Sequence, residues 1–150
     1  MAARSGRPFR RLKAKCGLLG VVTVIDLTHG PNGWHVHAHA VVIAGTAAGA
    51  LASASALEGG YLRALTKSGV AVSDTAARVR SVYDPQGMAR YFSKSWRLPA
   101  KGREETPLNL LERALSGSLE AFELFLEAVE AFRGKKRGVV SPALSRALWR

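Results

Sequence analysis

Hydrophobic positions follow two rhythms along this chain. From residue 18 to 28 the run LLGVVTVIDLT is apolar and β-branched, the pattern of a buried strand. The segment HGPNG supplies turn residues. WHVHAHAVVIA, residues 34–44, then reads as a second strand, close enough to the first to pair with it as an antiparallel hairpin. Residues 47–68 are Ala-rich and predict a helix, with Gly59 and Gly60 as a point of interruption and Gly69 as its end. VAVSDTAARVRSVYD offers one or two further strands, the better one near 76–83.

Beyond that point the rhythm is helical. Asp84 followed by Pro85 is a start signal, and the helix it opens is expected over 86–96. Thr106-Pro107 repeats the signal for NLLERAL, which Ser116-Gly117 breaks. Between Ser118 and Arg133, Phe122, Phe125, Leu126, Val129 and Phe132 recur at helical spacing beside an acidic stripe of Glu120, Glu123, Glu127 and Glu130. This predicts a structural helix with its apolar stripe in the core. GKKRGVV reads as a short basic strand and SPALSRALWR as a last helix. The order of elements implies an α+β fold, a small antiparallel β-sheet flanked by helices. The expected parts are a basic N-terminal arm at 1–17, a core at 18–103 and a helical C-terminal segment of the same domain at 104–150.

Charge adds a partner class to this outline. The 150 residues carry a formal net charge of +11, which favours a polyanion such as nucleic acid. Residues 1–103 hold 15 Lys/Arg against 4 Asp/Glu, whereas residues 104–150 hold 7 against 7, so the excess lies in the first two thirds. Cys16 is the single cysteine, which excludes an internal disulfide and a cysteine-based zinc finger. No apolar run reaches the roughly 18 residues of a spanning helix, and no signal-peptide core follows the basic start. A cytoplasmic protein with no membrane partner is the expectation.

The candidate chemistry sits inside the basic region. His29, His35, His37 and His39 all fall within eleven residues. In a strand, alternate side chains share a face, so His35, His37 and His39 project together. Neutral imidazoles side by side are good ligands for a divalent metal ion, and Asp26 on the preceding strand is the best further ligand, because hairpin pairing brings it across from the cluster. Tyr91 and Lys94 stand three residues apart on the helix at 86–96 and share a face. A tyrosine hydroxyl ionises near pH 10, so it needs activation before it can attack phosphorus, and a nearby cation would help.

Together these residues resemble the plasmid rolling-circle replication initiators of the HUH endonuclease superfamily. VIDLTHGPNGWHVHAHAVV resembles that group's acidic-strand, Gly-Trp-His and His-hydrophobic-His block, whose two motif histidines fall on His37 and His39, with Asp26 at the acidic position. VYDPQGMARYFSKSW resembles the tyrosine motif, with the nucleophile on Tyr91 and the lysine on Lys94. A looser likeness runs from TPLNLLERAL to RGKKRGVVSPALSRAL. The resemblance implies an HUH endonuclease-like sheet carrying the histidines, with the tyrosine on a helix beside it. It also implies a metal-dependent endonuclease and strand transferase, using Mn²⁺ or Mg²⁺, that nicks single-stranded origin DNA. Tyr91 would stay joined to the 5′ phosphate and a 3′ hydroxyl would be freed as primer. Host helicase and polymerase are the further partners so implied. His35 is left a supporting or substrate-facing role.

Two other readings fit part of the sequence. His35-Val36-His37-Ala38-His39-Ala40-Val41 also resembles the signature of the histidine triad nucleotide hydrolases and transferases, in which a histidine is the nucleophile and no metal is needed. A non-catalytic, DNA-binding remnant of a replication protein is the third.

Overall fold

The computed structural model describes residues 6–73, 76–94 and 104–148, the side chains of Gly6, Pro8, Ser93, Lys94 and Leu148 excepted. Its elements in chain order are α1 (Gly6–Cys16), β1 (Leu18–Gly30), β2 (Gly33–Ala44), α2 (Ala47–Lys67), α3 (Pro85–Lys94), α4 (Pro107–Leu115), α5 (Leu119–Phe132), β3 (Gly138–Val140) and α6 (Pro142–Leu148). The strands form one antiparallel sheet in the order β2-β1-β3. Ile25 N–H donates to the Arg137 carbonyl and Ser141 N–H to that of Val21, the descending register of an antiparallel pair. The α+β class expected from the sequence stands.

Strand β1 lies between two neighbours and supplies much of the core. Leu18, Val21, Val24 and Leu27 are buried, and their spacing of three visits both faces of the strand in turn. Strand β2 is paired on one side and is far more exposed. Pro31 and Asn32 make the turn between them, and Gly33, the residue that follows, has a left-handed φ of +87° that a side chain would resist.

The chain divides into two compact units. The first unit comprises residues 1–22, 41–83 and 140–150. In it, α1 packs on α2. A Cβ at the buried Gly49 would collide with the Cys16 carbonyl, so the close approach of α2 to the end of α1 depends on that glycine. The described part of the basic lead-in, Gly6–Cys16, is helical, because its Arg, Leu, Lys and Ala residues are good helix formers. Helix α2 starts at Thr46, whose side chain accepts from Gly49 N–H, and runs unbroken through Gly59 and Gly60. Each glycine costs about 1 kcal/mol against alanine, too little to break a 21-residue helix. Gly69, at φ +77°, follows its end.

The strand expected at 76–83 is absent: those residues are irregular, and Asp74 and Thr75 lie outside the described residues. An alternating pattern makes a strand only where it meets a partner, and the sheet of β2, β1 and β3 does not include residues 76–83.

The second unit comprises residues 23–40 and 84–139. Helix α4 opens on a capping box formed by Thr106 and Asn109. It packs against α5, whose N-cap is Ser118. Leu110, Ala121 and Ala128 are fully enclosed, and Arg113 pairs with both Glu105 and Glu120. The apolar stripe of α5 only partly meets expectation, since Phe122, Leu126 and Val129 remain close to half exposed. Two alanines form the inner face of α5 instead, because small side chains let helices approach closely.

Candidate active site

Every described side chain of the proposed chemistry belongs to the second unit. Counting pairs outward from the Pro31-Asn32 turn sets Asp26 opposite His37, Thr28 opposite His35 and His29 opposite Trp34. Contacts agree with that register. The His29 and Trp34 rings meet edge-on at 4.9 Å, and Thr28 and His35 both reach Glu104. Asp26 therefore shares a face with His35, His37 and His39, and its Oδ2 lies 3.3 Å from His39 Nε2.

Helix α3 reaches the same face. Asp84 caps it by accepting the Gly87 N–H at 2.8 Å. A Cβ at residue 87 would make that carboxylate, the free end of a flexible side chain, shift aside. One turn on, the Tyr91 hydroxyl lies 3.2 Å from His39 Nε2, with the two rings edge-on at 5.2 Å. Phe92 stands 6.3 Å from the His39 ring. The side chain of Lys94 lies outside the described residues.

Two oxygens thus address one nitrogen. With Nε2 unprotonated, the Tyr91 O–H donates to it; with Nε2 protonated, the N–H donates to the Asp26 carboxylate. Burial holds His39 below the ordinary imidazole range, and His37 pushes in the same direction, while the Asp26 charge opposes both. The neutral ring is favoured accordingly, and its tautomer decides which of the two hydrogen bonds Nε2 makes. Burial, with the Asp26 charge adding to it, raises the Tyr91 hydroxyl above its ordinary value, so this tyrosine is a neutral phenol in the state described.

Arg137 completes the group and was invisible as a site residue in the sequence. Its Nη2 donates to Asp26 Oδ1 at 2.7 Å and its Nε to the Ile25 carbonyl at 2.9 Å. The residue precedes β3, whose pairing with β1 carries it to Asp26. Nothing in GKKRGVV set it apart from Lys135 and Lys136, and only its distance from the strand partner does so. Farther along β2, His35 Nδ1 lies 3.4 Å from Glu104 Oε1, and Glu104 Oε2 accepts from the Thr28 hydroxyl at 3.2 Å.

The donor set suits a divalent cation in kind, with a carboxylate and an imidazole nitrogen converging and a second imidazole, His37, stacked 6.3 Å from His39. Of these three, Asp26 and His39 are the pair in contact. Among the described residues no group of three or more His, Cys, Asp or Glu side chains is drawn together closely enough to hold a metal ion. No helix among them is long and apolar enough to cross a membrane. No protein-family model matches the chain, and neither a curated protein nor a solved structure matches it.

Proposed function

We propose that this protein is a metal-dependent, single-tyrosine DNA endonuclease and strand transferase of the HUH type, an initiator of plasmid rolling-circle replication acting on single-stranded origin DNA. The observation that carries the reading is the 3.2 Å approach of the Tyr91 hydroxyl to His39, within one group with Asp26. A nucleophile, the imidazoles and a carboxylate meet on one face of a strongly basic chain, which suits a phosphodiester substrate.

In the reaction proposed, Tyr91 Oη attacks phosphorus, an Oη–P bond forms and the P–O3′ bond breaks. The phenol proton passes to water and the departing 3′ oxygen takes a proton from water. The products are a 5′-phosphotyrosine link and a free 3′ hydroxyl on which a host polymerase, with its helicase, would extend. His37, His39 and Asp26 would hold Mn²⁺ or Mg²⁺, whose charge would offset that of the phosphate and favour the phenolate. With Nε2 engaged as a ligand, the Tyr91 hydroxyl would lose that partner and could turn to the phosphate. Asp26, fixed by Arg137, keeps the carboxylate on the histidine face.

Incubation with single-stranded DNA and Mn²⁺, followed by denaturing electrophoresis, tests the reading. A covalent protein–DNA adduct that disappears in chelator is expected. Salt-sensitive binding with no adduct would mark a non-catalytic DNA-binding protein, and metal-independent cleavage of a nucleotide phosphoramidate would mark histidine triad chemistry.

A further inference from the structure

Net charge divides unequally between the two units. Residues 1–22, 41–83 and 140–150 hold 12 Lys/Arg against 2 Asp/Glu, whereas residues 23–40 and 84–139, which include Tyr91 and the histidines, hold 10 against 9. Pairing differs in the same sense. In the second unit Arg113, Arg133 and Arg137 each meet a carboxylate. In the first, no described cation has a carboxylate partner among the described residues. The unit with the proposed chemistry thus lacks the net positive charge that attracts a polyanion, and the other unit carries it.

Helix α1 concentrates the excess. It contains Arg7, Arg10, Arg11, Lys13 and Lys15 and no acid, and all five of these side chains are exposed. Arg7, Arg11 and Lys15 recur every fourth residue and so form one line along the helix, about 6 Å apart. Phe9, Leu12 and Cys16 make the opposite face and are part-buried, and α1 packs on α2. A basic amphipathic helix that lies on a membrane inserts its apolar face into the lipid. Here that face is engaged within the protein, which leaves the cations to meet a partner alone and suits a phosphate backbone.

We infer that the exposed face of α1 binds the backbone of single-stranded DNA without regard to sequence and supplies most of the protein's affinity for the strand, apart from the site at Tyr91. The choice of single-stranded DNA as occupant rests on the nuclease reading above; the surface itself does not. Holding and cutting are accordingly assigned to different units: α1 takes phosphates by charge, and the second unit acts on the strand. The contact is direct, guanidinium or ammonium to phosphate oxygen, and needs no divalent ion.

The test is fluorescence anisotropy of the full chain with a random-sequence single-stranded DNA pool, in chelator, over a series of salt concentrations. Arg7→Gln, Arg11→Gln and Lys15→Gln together, which keep good helix formers, should weaken binding by about 10–100-fold at about 0.1 M salt. They should also flatten the slope of log affinity against log salt by about 2, at roughly 0.7 for each phosphate contact. Each substitution alone should give about a third of that change, a graded response that loss of folding would not produce. Arg133→Gln, Lys135→Gln and Lys136→Gln together, the same change of charge in the second unit, should weaken binding by less than about threefold. An α1 variant that binds within about twofold of the parent would overturn the inference. So would an equal loss in the second-unit variant, because net charge alone would then account for binding. Tighter binding to duplex DNA of the same length, or to vesicles of phosphatidylserine and phosphatidylcholine, would name another occupant and overturn it too. DNA held through α1 with no adduct in Mn²⁺ would leave this surface standing and remove the nuclease reading.

Discussion

Strand β2 carries two histidine–carboxylate pairs of nearly equal length, His39 with Asp26 at 3.3 Å and His35 with Glu104 at 3.4 Å, on the same face. Their surroundings differ. Asp26 comes from the central strand, is buried, is clamped by Arg137, and shares its histidine with Tyr91. Both side chains of the other pair are about one third exposed, and the carboxylate's further partner is the Thr28 hydroxyl. The residue types are the same, so burial and the third and fourth partners distinguish a candidate reactive centre from a strut. A contact as open as His35–Glu104 contributes little to stability, whereas His39, exposed to the same degree as His35, faces a carboxylate that is buried and paired with Arg137, so the contrast lies in Asp26.

Substitutions can break this contrast, and the largest effect belongs to the nucleophile. Tyr91→Phe should abolish the covalent adduct while single-stranded DNA binding, measured by fluorescence anisotropy, stays within about twofold, since only a hydroxyl is lost. His39→Ala comes next. It removes both a proposed ligand and the partner of Tyr91, and the rate of adduct formation should fall by roughly 10² or more. Asp26→Asn should lower that rate by about 10–100-fold. Leaving Arg137 without its carboxylate should also cost about 1–3 kcal/mol in urea unfolding.

The dependence on pH gives a subtler test. His39 in the folded protein binds its proton less readily than the unfolded chain, whose imidazole titrates near 6.5. Stability from the neutral ring is therefore complete above that value and is lost as pH falls from about 6.5 to the lower folded value. Adduct formation should follow the same direction, because His39 must be unprotonated to serve as a ligand. A midpoint above 6.5 in the pH profile would point to a different group. The smallest effect is expected at the other pair: His35→Ala or Glu104→Gln should change the adduct rate by less than about threefold. If His35→Ala proves as damaging as His39→Ala, the distinction between the two pairs dissolves.

Much of this arrangement was legible in the sequence because it is local. A two-residue turn between β-branched runs sets the hairpin, and alternation puts His35, His37 and His39 on one face. Asp84-Pro85 and Thr106-Pro107 mark helix starts through caps that lie within a few residues of one another. What escaped was non-local. Arg137 reaches Asp26 across 111 positions of chain, and no nearby residue announces that contact. The alternation at 76–83 looked like a strand because a pattern cannot reveal whether the segment meets a partner. Phe122, Leu126 and Val129 were expected inside because helical spacing identifies an apolar face but not which part of it meets a neighbour. Gly59 and Gly60 looked like a break because propensity was weighed locally, while 21 residues of otherwise favourable helix carried them through.

The most direct test of the account is to identify which residue carries the DNA. After reaction with single-stranded DNA and Mn²⁺, the adduct is digested with nuclease and protease, and the peptide bearing the residual nucleotide is sequenced by mass spectrometry. The account predicts a phosphodiester link on Tyr91, in the peptide that begins after Arg90. A link on Tyr83, on Tyr61 or on a histidine would contradict it.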